Sequence, residues 1–404
     1  MRDTPHLVVS ISGHGFGHVA QTAPILNALQ QLMPQLRITV RSTVPLAHLR
    51  SRIHVPFTNL SSAGDIGMLM SSALDVCVED SRAAYQKFHA NWDKRVTEEA
   101  QTLRELKANF VFSNVGYLPL AGARLAGIPN AALCSLNWAD IYRHYCNPAR
   151  PIKPLVGHPP ELVGGHDIHA STSSARTGVK SGRTVDELIA AQIHACYADA
   201  DAFLRTTPGM AMDNLANLIP VAPIAAVGTN RRNELNVTLK LSPGEKLVLI
   251  SMGGISGRLP IECWPHINGV HYLVQESWQV HHPDAIIIES LQTKNFCSGT
   301  RMSFGDLLAS SDVLICKPGY GSFVEATCSG VPVLYVNRSD WPEAPALVEW
   351  LQQHNLCREV SRSTLEQGDI ATALDEIWSR QRVQPIIPEG AVQVADWLMR
   401  KLGH

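Results

Sequence analysis

Charge is scarce in this chain. Lys, Arg, Asp and Glu make up 17% of its 404 residues and nearly cancel, leaving a formal net charge of −2. No long basic run occurs, which argues against a nucleic-acid binder that works by neutralising phosphates. Long apolar runs are missing too: no stretch approaches the ~20 apolar residues needed to cross a bilayer. That absence leaves a peripheral membrane contact open. The amino terminus shows no charged-then-apolar leader, since its first apolar run ends at Gly13. The nine cysteines are an odd number with no C-x-x-C pair. This fits a reduced cytoplasm better than a disulfide framework, and the expected location is cytoplasmic. With 45% hydrophobic residues, a chain this long is expected to build two full cores.

What is present is a pair of glycine loops, each set between a strand and a helix. Residues 7–11 read as a first buried strand. A helix follows from about 19 to 33, with Ala23, Ile25, Leu26, Leu29 and Leu32 on its apolar face. Between them lies S-G-H-G-F-G-H at 12–18. Residues 37–41 give a second strand, and Pro45 starts another helix. This βαβ unit puts its glycine loop at the C-terminal edge of strand one, where open α/β sheets bind ligands. The spacing is G-x-G-x-G, not the dinucleotide G-x-G-x-x-G, and strand two ends without an acidic residue for an adenosine ribose. Both features argue against an NAD-dependent dehydrogenase. The loop carries His14 and His18 instead. A histidine that titrates near neutrality is a ready general base for an acceptor hydroxyl. The alternative is that one or both cap the helix or bond the loop backbone. Of the two, His18 is favoured as the base, and Gly15 beside it is an acceptor-side candidate.

Residues 64–107 read as mostly helical, with a loop at 61–67 that borders a cleft if one forms there. Residues 110–113 and 129–134 are strands around a short helix at 118–126. The second of them runs into S-L-N-W-A-D at 135–140. Asn137, Trp138 and Asp140 lie past a strand's C-terminal edge and are candidate acceptor contacts; for Trp138 the alternative is packing. Residues 147–183 are rich in Pro, Gly, Ser and His and have no periodicity, which reads as either a lid or a disordered insertion. His158, His166 and His169 within it lack a Cys or Glu partner at ligand spacing, so no metal site is assigned. Asp199 and Asp201 spell D-x-D at a helix-to-strand junction, where acidic residues are ordinary. A helix at 185–198 and a strand at 202–206 precede a proline-rich linker at 219–224 and 228–232.

The second half repeats the architecture. A strand at 246–251 ends in M-G-G-I-S-G at 252–257. Gly253, Gly254 and Ser256 there are candidate phosphate contacts. Strands follow at 270–274 and 285–288. The stretch S-F-G-D-L-L-A-S-S-D-V-L-I-C-K-P-G-Y-G-S-F-V-E-A-T-C-S-G-V-P-V-L-Y-V at 303–336 organises the rest. It reads as helix, buried strand, glycine loop, helix, strand. Pro318 ends strand pairing, Gly319 and Gly321 permit positive φ, and a helix opens at Ser322. The free N–H groups of such a helix start bind phosphate. Glu325, about one turn in, is suited to accept two hydrogen bonds from a ribose diol, although Glu in a first helical turn is also favoured by the helix dipole alone. Beyond residue 336, Asp340 and Glu343 lie past another strand end and either hold sugar hydroxyls or start the next helix. A last helix at 390–402 presents Val394, Trp397 and Leu398 on one side.

These motifs together resemble GT-B glycosyltransferases, two doubly wound Rossmann-like domains facing across a cleft. The K-P-G-Y-G-S-F-V-E-A-T-C-S-G-V-P-V stretch at 317–333 is similar to the donor-binding motif of the family containing the peptidoglycan GlcNAc transferase. The S-G-H-G-F-G-H-V pattern at 12–19, N-W-A-D-I-Y at 137–142 and K-P-G-Y-G at 317–321 resemble the glycosyltransferase-like N-terminal region of plant arabinokinases. No kinase half follows within these residues, so the resemblance carries no arabinose phosphorylation. It implies an α/β fold with an acceptor-side domain at 1–222, a nucleotide-sugar domain at 223–389, and a helix at 390–404 that packs back on the first. It implies a UDP-sugar co-substrate and no cofactor or metal. Glu325 would bind the ribose. Gly319, Gly321 and Ser322 would face the diphosphate, with Gly253 and Gly254 nearby and Lys317 and Tyr320 among the nucleotide-binding residues, and Asp340 and Glu343 would touch the donor sugar. His18 matches the histidine after the glycines in the peptidoglycan enzyme's loop; His14 matches the arabinokinase-like pattern only.

The expected activity is an inverting, metal-independent hexosyl or N-acetylhexosaminyl transfer to a hydroxyl acceptor. Two alternatives share the fold: a UDP-sugar 2-epimerase, and a non-catalytic nucleotide-sugar-binding protein.

Overall fold

The computed structural model describes residues 4–146, 184–254, 258–294, 296 and 299–403. Ser256 and the insertion at 147–183, with its three histidines, lie outside the described residues.

Two fully parallel sheets carry the chain. The first holds β1 (His6–Ile11), β2 (Arg37–Arg41), β3 (Thr58–Leu60), β4 (Phe110–Asn114), β5 (Asn130–Cys134), β6 (Ala202–Thr206) and β7 (Leu218–Val221), in the order β3-β2-β1-β4-β5-β6-β7. The second holds β8 (Lys246–Ser251), β9 (Val270–Val274), β10 (Ala285–Ile287), β11 (Val313–Cys316), β12 (Val333–Val336) and β13 (Cys357–Val360), in the order β10-β9-β8-β11-β12-β13. Helices cover both faces of each sheet, so the central strands are buried along their length and read as near-continuous apolar runs. In both sheets the strand order reverses once, between β1 and β4 and again between β8 and β11. A doubly wound sheet opens a crevice at that point, beyond the carboxyl ends of its strands. The crevice of the first sheet receives the histidine loop. The crevice of the second receives both later glycine loops.

Three local expectations need correction. The presumed linker at 219–224 begins inside a strand: Leu218–Val221 pairs with β6, and Pro220 is tolerated because β7 is an edge. Residues 61–77 form little regular structure, because Gly64, Gly67 and a serine turn at Ser72–Asp75 break the helix. This segment straps across to the second sheet, where Ala73 joins the core and Asp75 accepts from Arg362 at 3.0 Å. The donor-loop helix opens at Tyr320 rather than Ser322, because Gly319 takes an extended φ of −158° and serves as its N-cap.

Five helices matter for the site: α1 (Gly17–Leu32), α2 (Leu46–Arg52), α3 (Trp138–Cys146), α4 (Tyr320–Cys328) and α5 (Gly390–Leu402). α5 leaves the second half and packs on α1. Its Ala391, Val394, Ala395 and Leu398 join one core with Val19, Ala23 and Leu26 of α1. The helix that carries His18 is therefore buttressed by the end of the chain. Among the described residues no helix is long and apolar enough to cross a membrane.

Leu398 is fully buried in that contact. Leu398→Ala is expected to cost about 2–5 kcal/mol of stability, read as a lower denaturant midpoint. An unchanged midpoint would mean that α5 is not part of the core.

Candidate active site

The two crevices face each other across a cavity of about 360 Å³. Its first-half wall is the histidine loop and the start of α1, with His48 and Arg52 of α2. Its second-half wall is the Gly253–Gly254 turn, the start of α4, and the loop after β12. The halves approach closely. A Cβ on Gly321 would sit 3.1 Å from Ala20 Cβ, and one on Gly254 would sit 2.7 Å from the Phe16 ring. A side chain at either glycine would crowd the facing loop and force it to shift.

His18, at the second position of α1, is 7% exposed. Its Nδ1 lies 2.9 Å from Asn114 Oδ1. The amide of Asn114 has a fixed sense, because its Nδ2 donates to the backbone carbonyl of His18 at 3.3 Å and to Gln21 Oε1 at 3.1 Å. Its oxygen therefore faces the ring and accepts from Nδ1–H, and the neutral tautomer keeps a lone pair on Nε2. Burial lowers the His18 pKa to about 4, so the ring is neutral at physiological pH.

His14 takes the opposite tautomer. The backbone N–H of Met68 donates to its Nδ1 at 3.3 Å, which leaves the proton on Nε2. The ring stacks on Trp341 at 5.7 Å and meets the edge of Trp138 at 5.0 Å. Burial, with His18, Lys317 and Arg338 nearby, holds its pKa well below the ordinary value. The pattern of the loop made both histidines candidates. The structure separates them, one with an open lone pair and one a donor.

The hydrogen bonds continue away from His18. Gln21 Nε2 donates to Ser135 Oγ at 2.8 Å, and Ser135 Oγ donates across to Glu343 Oε1 at 2.5 Å. Trp341 Nε1 donates to Glu343 Oε2 at 3.1 Å. Glu343 is 5% exposed, and burial raises its pKa against the pull of those donors and of Lys317 and Arg338. Asp65 lies behind the histidine loop, accepting from Ser12 Oγ at 3.0 Å and from Trp138 Nε1 at 3.2 Å. Burial pushes its pKa up to about 6.

On the second-half wall, α4 points its N-terminus at the cavity without a side-chain cap. Its first N–H groups have no intrahelical acceptor. Lys317 stands beside them, its pKa lowered to about 8 by burial and by Arg338. Pro318, Gly319, Gly321 and Ser322 line the same wall. Tyr320 also lines it, but its hydroxyl is held elsewhere: it accepts from Ile224 N–H at 2.9 Å and donates to the Thr207 carbonyl at 3.3 Å. Glu325 lines the cavity with its carboxylate clasped by Arg52, Nη1 to Oε1 at 2.7 Å and Nη2 to Oε2 at 3.2 Å. Each oxygen keeps a further lone pair for a second donor. Among the described residues no cluster of His, Cys, Asp or Glu is arranged to hold a metal ion.

Four expected contacts lie away from the cavity wall. Asn137 and Asp140 spend their polar atoms on the start of α3: Asn137 Nδ2 donates to Asp140 Oδ2 at 2.7 Å, and Asp140 N–H donates back to Asn137 Oδ1 at 2.8 Å. Trp138 is fully buried under the histidine loop. Asp340 is exposed and accepts from Tyr145 Oη. Asn114, Gln21, Ser135, Asp65, Arg52 and Arg338 were missed. A signal existed for Asn114, which ends the strand beside β1 at the strand-order reversal. Gln21 follows His18 at helical spacing.

No family model matches the chain. It is 24% identical over 369 residues to the L-arabinokinase of Arabidopsis thaliana, covering 90% of this chain and 31% of that protein. The chain thus spans about a third of that relative's length. Among solved structures it resembles the glycotransferase of kitacinnamycin (13% identity, 99% of this chain and 95% of that one, TM-score 0.56). It also resembles S. aureus MnaA, solved with UDP (11%, 99% and 97%, 0.55), and the calicheamicin glycosyltransferase CalG4 (13%, 100% and 99%, 0.54). Likeness across the full length in two doubly wound sheets defines the fold as GT-B.

The His18 pKa carries a stability consequence. Between pH 6.5 and about 4 the unfolded chain binds a proton on this residue that the folded chain does not, so stability rises with pH in that window and falls as pH drops. The loss is about 1 kcal/mol per pH unit for this group. His18→Gln is expected to flatten the dependence of unfolding free energy on pH between 6 and 5 by that amount. An unchanged slope would mean that His18 titrates normally in the fold.

Proposed function

We propose that this protein is a glycosyltransferase that moves a sugar from a nucleoside diphosphate, with uridine the favoured base, to a hydroxyl acceptor. The observation that carries this reading is the pairing of groups across one cavity. An imidazole with an open Nε2 lone pair faces an uncapped helix N-terminus flanked by a lysine.

The chemistry follows from that opposition. His18 Nε2 takes the proton of an acceptor hydroxyl, and the oxygen attacks the anomeric carbon. The bond to the diphosphate breaks on the far side, where Lys317, the free N–H groups of α4 and the Gly253–Gly254 turn meet the developing charge. Attack and departure on opposite faces invert the anomeric centre. The positive charge at the leaving group comes from protein groups, so the scheme needs no metal. A ring with a pKa near 4 is a weak base, but a diphosphate arriving in the cavity brings negative charge that favours the imidazolium, so the base strengthens when the donor is bound. In this scheme Glu325, oriented by Arg52, accepts from the ribose diol, and Glu343 accepts from a sugar hydroxyl. The acceptor enters past Gly15 and His14.

The test is turnover of UDP-sugars with a panel of hydroxyl acceptors, read as UDP release, alongside direct UDP titration. His18→Ala is expected to lower the rate by about 10²–10⁴-fold and to leave UDP affinity within about twofold. Equal loss of both would make His18 structural. Formation of a sugar isomer without acceptor would favour the epimerase reading, and tight UDP-sugar binding with no product of either kind would favour a binding protein.

A further inference from the structure

The second-half wall of the cavity follows the carboxyl ends of the second sheet's strands. Gln275 after β9, with Ile288 and Gln292 after β10, line one end. The α4 N-terminus and Lys317 occupy the middle, after β11. Arg338, Trp341 and Glu343, after β12, close the other end. A nucleotide sugar with its diphosphate on α4 and its base toward β9 and β10 puts its sugar against Arg338.

Arg338 is an unusual residue to find there. It is 3% exposed. Its guanidinium carbon sits over the Trp341 ring, 4.0 Å from the centroid, and one terminal nitrogen contacts Met70 Sδ at 3.5 Å. Its Nε has no hydrogen-bond partner among the described residues. No carboxylate among the described residues lies within ion-pair distance of it or of Lys317. Asp340 and Glu343 act on Arg338 from beyond that distance, and burial still holds its pKa below the ordinary value. A buried cation without a counter-charge in contact is unfavourable. Trp341 supports the fork from one face, the Tyr145 hydroxyl and Met70 Sδ take part of its edge, and Nε is left for a ligand. That donor matches a carboxylate, which a guanidinium binds in charge-assisted hydrogen bonds. A neutral sugar hydroxyl would satisfy the donor but not the charge.

We propose that the donor is a nucleotide sugar with a carboxylate on its sugar ring, a hexuronate, held by Arg338 at the β12 end of the cavity. This rests on the donor reading above and specifies its substrate class. The Trp341 ring then supports the guanidinium, and Lys317 remains with the diphosphate.

The test is calorimetric titration of the intact chain with UDP, UDP-glucose, UDP-glucuronate and UDP-galacturonate, without acceptor. At least one uronate is expected to bind about tenfold or more tightly than UDP-glucose. Arg338→Gln is expected to abolish that preference and leave UDP affinity within about twofold. Equal affinity of the wild type for UDP-glucose and both uronates overturns the proposal, and this arm needs no variant to fold. An Arg338→Gln variant that weakens UDP itself as much as it weakens the uronates also overturns it, by assigning Arg338 to the diphosphate. Failure of all four ligands to bind the wild type defeats the donor reading itself, and this proposal with it.

Discussion

The buried carboxylate of Glu343 is the point on which the cleft depends. It belongs to the second half, yet one of its oxygens accepts from Ser135 of the first. A buried carboxylate must have donors, and while the cleft is closed Ser135 supplies one of them. The same bond ends a chain that runs through Gln21 and Asn114 to His18. Each member of that chain has one consistent donor sense. The His18 ring is thereby linked by hydrogen bonds to the contact between the halves, and the nitrogen left open is the one that general-base chemistry needs.

The fold was largely legible, and the reason is local. Parallel strands buried on both faces are short apolar runs between turn residues, and both glycine loops sit where such runs stop. The histidine loop, the K-P-G-Y-G loop and Glu343 all line the cavity. The errors were also local. Leu218–Val221 contains a proline and read as linker, because edge position is a property of the sheet and not of the segment. Asn137 and Asp140 looked like ligand contacts because Asn and Asp past a strand end serve equally well to start a helix.

What the sequence could not display is the partner of each polar group. Asn114 lies 96 residues from His18, and Arg52 lies 273 residues from Glu325. Nothing in either neighbourhood announces the pairing. Arg338 sat in full view just before Asp340 and Glu343, both of which the sequence singled out. Its significance comes from burial with an unpartnered Nε, which only the packed structure reveals. The same limit applied to His14 and His18, equivalent in the motif and opposite in protonation once Met68 and Asn114 are in place.

The cavity has a division of labour along its two walls. Neutral imidazoles stand on one side, and Lys317 and the helix N–H groups of α4 on the other. Such an arrangement favours a ligand with its negative charge toward α4 and its reacting carbon toward His18. The most direct check is thermal unfolding with UDP, GDP, dTDP and ADP, each alone, on the wild type and on Lys317→Ala. A ligand at a hundred times its dissociation constant stabilises by about 2.7 kcal/mol, which raises the midpoint by several degrees. The account predicts such a rise with UDP and its reduction in Lys317→Ala. No rise with any of the four nucleotides would contradict it.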